Sequence, residues 1–188
     1  MLVEILLSYL VGCINFAYVI GKLVGIDLSK TWDRNLGTTN LYMSLRGDNK
    51  RRILIAGISG LLDVVKGIVP ALLFGPVYSA FAVLGHCFSI ISYYFTKRIP
   101  TGCGIATSIG WGLVYIPHFV VFMTPLSLAY SYFLKKKRGT IRDEMGYASI
   151  QLYSMLVGLC FTFNYSVLVG AVVVGSSIML ARALRVFK

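Results

Sequence analysis

Two short polar strings in an otherwise apolar chain hold the residues best suited to chemistry. The first, Asp33-Arg34-Asn35-Leu36-Gly37-Thr38-Thr39-Asn40, packs amides, hydroxyls and a glycine just before an apolar-periodic stretch. The second, Thr101-Gly102-Cys103-Gly104-Ile105-Ala106-Thr107, opens directly into a long apolar run. Both read as turns at helix starts, where backbone N–H groups lack intrahelical partners and attract anions. A plain turn with a helix cap is the alternative for each. Asp63 and Lys66 stand at i, i+3 on one helix face in the middle of an apolar run, where ionisable groups are rare and expensive. They are expected to form a structural pair that holds the first loop against their helix without reacting. His86, after Gly85, reads as a hydrogen-bonded core histidine rather than a lone general base. No Gly-x-Ser-x-Gly elbow is present, and the four cysteines contain no Cys-x-x-Cys pair. Neither a disulfide framework nor a zinc site is encoded, and no cofactor is implied. Binding of anions is the chemistry these residue types suit.

The elements that position those strings follow from composition. Of 188 residues, 57% are hydrophobic and 13% charged, with mean hydropathy +0.77. A soluble domain carries roughly a quarter charged residues, so this surplus of apolar side chains requires lipid as solvent. Disorder and collagen are excluded by the same balance. The net charge of +11 arises from 18 basic and 7 acidic residues. The basic residues lie between apolar runs and not on a folded polar face, so they report membrane orientation and not nucleic acid. Apolar stretches cover 2–25, 53–74, 77–95, 104–134, 146–163 and 166–184. The fourth exceeds one straight span of about 20 residues and contains Pro117 and Pro125, so two helices are expected there. Seven transmembrane helices then place four basic clusters, 30–52, 97–98, 135–142 and 182–188, on one side. The expectation is an all-α integral membrane protein, a single domain over 1–188, with the N-terminus outside and the C-terminus cytoplasmic. External turns fall near Gly75-Pro76, between Pro117 and Pro125, and at Asn164. The first segment, lacking a basic leader and a cleavage site, is expected to be a retained span. Inverted repeats and matching broken helices are not discernible, which weakens a transporter reading.

Five pieces taken in order carry a resemblance. They are the string from Gly12 to Lys22, Asn35-x-Gly37-x-Thr39-Asn40, Asp63-x-x-Lys66-Gly67, Gly85-His86-x-Phe88, and Gly102-x-Gly104-Ile105-Ala106-Thr107. This set resembles the bacterial acyl-phosphate:glycerol-3-phosphate acyltransferases, seven-helix membrane enzymes whose motifs lie on the cytoplasmic side. The resemblance implies acyl transfer from acyl phosphate to glycerol 3-phosphate, giving lysophosphatidic acid at the cell membrane. It further implies that Asn35, Gly37, Thr39, Asn40, Gly102, Gly104, Thr107 and Ser149 bind substrate, with Asp63, Lys66 and His86 supporting them. Departures accompany it. Where the family reads Ser-Gly-Asn-x-Gly-Ala-Thr-Asn-x-x-Arg, this chain has Asp33, Arg34 and, in place of the arginine, Met43. The family's phosphate-binding lysine is Cys103 here, a candidate catalytic position for which a small residue between glycines is a simpler account than a covalent acyl carrier, and the C-terminal His-x-x-Asn element is missing. Arg34 and Arg46 are expected to take over the cationic roles, Arg46 from one turn beyond Met43 on the same helix face. Lys97 or Arg98 folding back over the Cys103 turn is a further route. A non-catalytic member that binds lipid or a membrane partner is the alternative function, and oligomeric state is left open.

Overall fold

A computed structural model describes residues 1–31, 35–118, 120–121 and 164–186. Among these residues the chain is helical and has no strands. The helices are α1 (Leu2–Gly12), α2 (Phe16–Leu23), α3 (Thr38–Ser44), α4 (Asn49–Ser79), α5 (Phe81–Cys87), α6 (Ile90–Thr96), α7 (Ile105–Tyr115) and α8 (Tyr165–Val186), with a 3-10 turn at Leu28–Lys30.

The distribution of residues is that of a soluble protein turned inside out. Along α4, Leu54, Ile58, Leu61, Val65 and Leu72 are exposed, while Ala56, Ser59, Asp63, Lys66 and Gly67 are buried. Exposing the large aliphatic face and burying the polar one is stable only where the surroundings are hydrocarbon. Three stretches, Leu2–Leu23 (α1 with α2), Asn49–Ser79 and Tyr165–Leu184, are long and apolar enough to cross a bilayer. The expected crossings within 146–163 and in the second half of 104–134 lie outside the described residues, apart from the start of the latter.

Glycines set the helix spacing. A Cβ on Gly67 would stand 2.1 Å from the Thr107 carbonyl oxygen, and one on Gly110 2.0 Å from that of Val64, so α4 and α7 touch backbone to backbone. Gly12 meets the Ala82 carbonyl and Gly85 that of Tyr9 in the same way, joining α1 to α5. Gly170 on α8 sits against the Pro76 carbonyl. Close backbone approach through small residues is how helices associate where apolar side chains gain nothing by leaving lipid.

The turn expected at Gly75-Pro76 is a sharp kink inside α4, with Gly75 at φ 78° and ψ 171°. Side chains satisfy the carbonyls it frees: Ser79 Oγ donates to Gly75 O, Trp111 Nε1 to Pro76 O, and Tyr115 OH to Ala71 O. Val120 packs against Gly112, although a straight helix would separate positions eight apart by about 12 Å. The chain therefore folds back at Ile116, at the near edge of the expected turn.

Two of the apolar stretches are broken within. The first span is interrupted at Cys13–Asn15 between α1 and α2, and the third at Phe88–Ser89 between α5 and α6. The two breaks lie against each other and exchange hydrogen bonds. Ser89 Oγ donates to Cys13 O at 2.6 Å, Tyr9 OH to Phe88 O at 2.7 Å, and Asn15 Nδ2 to Ser92 Oγ at 2.7 Å.

Below the break in the first span a second, smaller core forms from Ala17, Leu28, Leu36, Leu41 and Leu45. It packs the first loop under the bundle. Asp27 anchors the 3-10 turn through Ser29 and pairs with Lys22 at 2.7 Å. Burial pushes the Asp27 carboxyl up, but the bonds from Lys22 and Ser29 outweigh that and hold it below the ordinary value.

Candidate active site

Asn35 to Asn40 form the first wall of the site. Leu36 is buried in the small loop core and fixes the turn, and Gly37 caps α3. A Cβ on Gly37 would meet the Asn35 amide at 3.2 Å, so a small residue lets Asn35 lie across the turn. Thr38 Oγ1 bonds Ser59 Oγ at 3.0 Å, which ties the start of α3 to α4. Asn40 is 1% exposed. Its amide nitrogen donates to Thr31 Oγ1 and to Asn35 O, each at 2.6 Å, and its oxygen accepts from Ser44 Oγ. With both N–H groups engaged inside the loop, Asn40 is a clamp, not the anion donor expected from its place in the string. Thr39 is exposed.

The second wall is the turn before α7. Thr101 is buried and holds the turn onto the break between α5 and α6. Its N–H donates to Cys87 O at 2.8 Å, its hydroxyl donates toward His86 O and Cys87 O, and it accepts from Ser89 N–H. Gly104, at φ +73°, opens α7 in a conformation that side chains rarely adopt, and a Cβ there would also strike Cys87 Sγ at 2.7 Å. Gly102 lies directly on the His86 ring, where a Cβ would approach Nε2 to 2.3 Å.

The two walls are joined. Leu36 N–H donates to Thr101 O at 3.0 Å, and Asn35 Nδ2 donates to Cys103 Sγ at 3.5 Å. Cys103 is in no disulfide and is partly exposed between its two glycines. Thr107 is fully buried in the first turn of α7, where its carbonyl packs on Gly67.

Beneath the walls lies a buried charged cluster. Lys66 Nζ stands 2.8 Å from Asp63 Oδ1, and it bonds Ile14 O and His86 Nδ1 at 2.6 Å each. Asp63 also accepts from the Phe16 N–H, which puts a carboxylate at the N-terminus of α2. The pair therefore fastens the break in the first span, and not the first loop as the sequence suggests; Thr38 and Ser59 do that. Nδ1 of His86 faces Lys66 and its Nε2 edge faces Gly102; with Lys66 protonated, Nδ1 accepts and the ring proton is on Nε2.

Two of the cations expected at the turns, Arg46 and Lys97, are placed otherwise. Arg46 is exposed beyond the end of α3 at Ser44, so it does not share a helix face with Met43. Lys97 lies over the rings of Tyr93 and Tyr94, at 5.7 and 5.0 Å. Arg34 and Ser149 lie outside the described residues. Sequence reasoning passed over Ser59, Ser89 and the holding role of Thr101. The available signal was a hydroxyl inside an apolar run, where it seeks a partner on another helix.

The chain is similar to known proteins. The family described as glycerol-3-phosphate acyltransferase matches residues 2–185. The glycerol-3-phosphate acyltransferase of Bacillus subtilis (strain 168) is 32% identical over 171 residues, spanning 86% of this chain and 76% of the relative. That of Pseudothermotoga lettingae is 36% identical over 114 residues, 56% of this chain and 52% of the relative. The crystal structure of PlsY (YgiH), an integral membrane glycerol 3-phosphate acyltransferase in its glycerol 3-phosphate form, has the same fold. It superposes with TM-score 0.72 at 24% identity, covering 98% of this chain and 89% of that one.

Proposed function

The chain belongs to the glycerol-3-phosphate acyltransferase family, and on that premise we propose that it transfers a fatty acyl group from acyl phosphate to the 1-hydroxyl of glycerol 3-phosphate. The product is lysophosphatidic acid, and the step is the first acylation of phospholipid synthesis. The observation that carries this reading is the family match across residues 2–185. In the reaction the hydroxyl oxygen bonds the acyl carbon as the bond from that carbon to the phosphate oxygen breaks. The phosphate leaves with the electron pair, and the hydroxyl proton ends on it. Because the donor is already activated, positioning and charge stabilisation suffice.

The joined turns supply suitable parts. Asn35, Gly37 and Thr39 on one side, and Gly102, Cys103 and Gly104 on the other, bound the place where the two phosphates meet. Thr107 and the first turn of α7 add backbone donors. Arg34 and Ser149 complete the polar set, whereas Arg46, exposed beyond α3, is not given a phosphate. Asp63, Lys66 and His86 hold the floor. The chain is a single domain over 1–188 that crosses the plasma membrane seven times, with the N-terminus outside and the joined turns in the cytoplasm. Support for this topology comes from the inter-turn bond, which brings the 30–52 and 97–98 basic clusters to one end of the bundle.

Purified protein in lipid nanodiscs, given acyl phosphate and glycerol 3-phosphate, is expected to form lysophosphatidate and release inorganic phosphate. Absence of product above background overturns the reading. Glycerol 3-phosphate binding without turnover would favour the non-catalytic alternative, which Met43 and Cys103 in otherwise cationic places make the specific rival.

A further inference from the structure

Among the described residues two Lys or Arg side chains are buried, Lys66 at 3% and Arg182 at 7% exposure. Lys66 is committed to Asp63, Ile14 and His86. Arg182 is on α8, within the terminal basic cluster that reads from sequence as topological charge alone. An arginine serving only to face headgroups extends its guanidinium into water, and Arg182 does not. Its neighbours along the helix, Val174, Ile178 and Ala181, are buried too, so this face of α8 points into the bundle. Ile178 lies 3.6 Å from where a Cβ on Gly104 would stand. Arg182 is four residues further, on the same face and about 6 Å along the axis. It lies toward the cytoplasmic end under the topology proposed above. Helical side chains lean toward the helix N-terminus, which directs the Arg182 stem back toward Gly104. The turns at 35–40 and 101–107 contain no cationic side chain of their own, yet they bound the place where phosphate charge would gather.

We propose that Arg182 reaches the Gly102–Gly104 turn from α8 and binds a phosphate group of the substrates there. This rests on the acyl-transfer reading for the identity of the ligand. A guanidinium suits the task because its planar fork engages two phosphate oxygens at once and stays charged when buried.

The test compares wild type with R182Q, R182K and, as a control from the same cluster, K188Q, all in nanodiscs. Acyl-transfer kinetics, melting temperature and calorimetric titration with glycerol 3-phosphate are measured. R182Q is expected to raise the KM for one of the two phosphate substrates about tenfold to a hundredfold. Its melting temperature should stay within a few degrees of wild type, R182K should recover part of the loss, and K188Q should match wild type. R182Q with wild-type KM values for both substrates overturns the proposal. So does a loss that follows the melting temperature and is not relieved by lysine, which marks a packing role. If wild type shows no turnover, the acyl-transfer reading fails. In that case glycerol 3-phosphate binding that R182Q weakens still upholds Arg182 as a phosphate residue. Binding that R182Q keeps, or no binding by wild type, overturns it.

Discussion

Lys66 draws together groups from three stretches of chain: a carboxylate on its own helix, a carbonyl at the break in the first span, and a ring nitrogen on α5. Each alone is an ordinary contact, but together they decide where the first span bends. Asp63→Asn leaves the ammonium in the interior with only neutral acceptors. It is expected to destabilise the protein by about 3–5 kcal/mol, the penalty for breaking a buried pair from one side. A lowered melting temperature and reduced folded yield in detergent would show it. Combining Asp63→Asn with Lys66→Met should return part of the loss, because no charge is left buried. Full stability with loss of turnover alone would instead make Asp63 a group that handles substrate. The pairing itself was legible, since two charges at i, i+3 in an apolar run have few other options. Its partner was not, because nothing in a linear string announces that the Ile14 carbonyl has lost its helical donor. For the same reason the amide of Asn40 read as a ligand group. Its acceptors, Thr31 and the Asn35 carbonyl, become visible only once the loop is folded.

At the scale of elements, apolar runs and Gly-Pro punctuation located the helices and the kink at Gly75 because both signals are local. The breaks at Cys13–Asn15 and Phe88–Ser89 carry no proline or glycine, and tertiary bonds from Ser89, Tyr9, Asp63 and Lys66 sustain them. Local propensity cannot report bonds between distant spans. Arg46 was misplaced similarly: α3 ends at Ser44, two residues short of it, so the helix face assigned to Arg46 does not exist. The glycine contacts allow a paired comparison along α4 and α7. Gly110→Ala must push α7 away from the Val64 carbonyl, and is expected to destabilise by about 1–3 kcal/mol or more. Gly57→Ala on α4 meets nothing within 4 Å and should be neutral, or stabilising by roughly 0.5–1 kcal/mol through helix propensity. Thermal melts of the two variants check both signs, and equal destabilisation would deny that backbone contact sets the α4–α7 spacing.

For the whole molecule, sidedness is the property most exposed to test. The inter-turn bond and the seating of Ile178 on Gly104 bring the first loop, the 97–98 pair and the end of α8 to one end of the bundle. The charge rule adds 135–142 to the same side. Lys97→Cys and Lys136→Cys are therefore expected to react with a membrane-impermeant maleimide only after the cytoplasmic face is opened. Labelling from opposite sides would require an odd number of crossings between them and would end the seven-span topology.

The backbone contacts at Gly12, Gly67, Gly85, Gly110 and Gly170 also bear on selectivity among donors. Helices drawn together to that distance leave no room for a fatty tail at those contacts. Along these described helices the tail of the donor is expected to lie on the outer, lipid-facing surface, while its phosphate end reaches the joined turns. A closed pocket gains about 0.8 kcal/mol for each methylene it takes from water, so two extra carbons would change its preference roughly fifteenfold. A tail that stays in hydrocarbon before and after binding gains almost none of that. With donors compared at equal concentration in the membrane, kcat/KM for chains from twelve to eighteen carbons should therefore vary by no more than about a few-fold. A sharp optimum at one length would mean that a molecular ruler lies elsewhere in the chain.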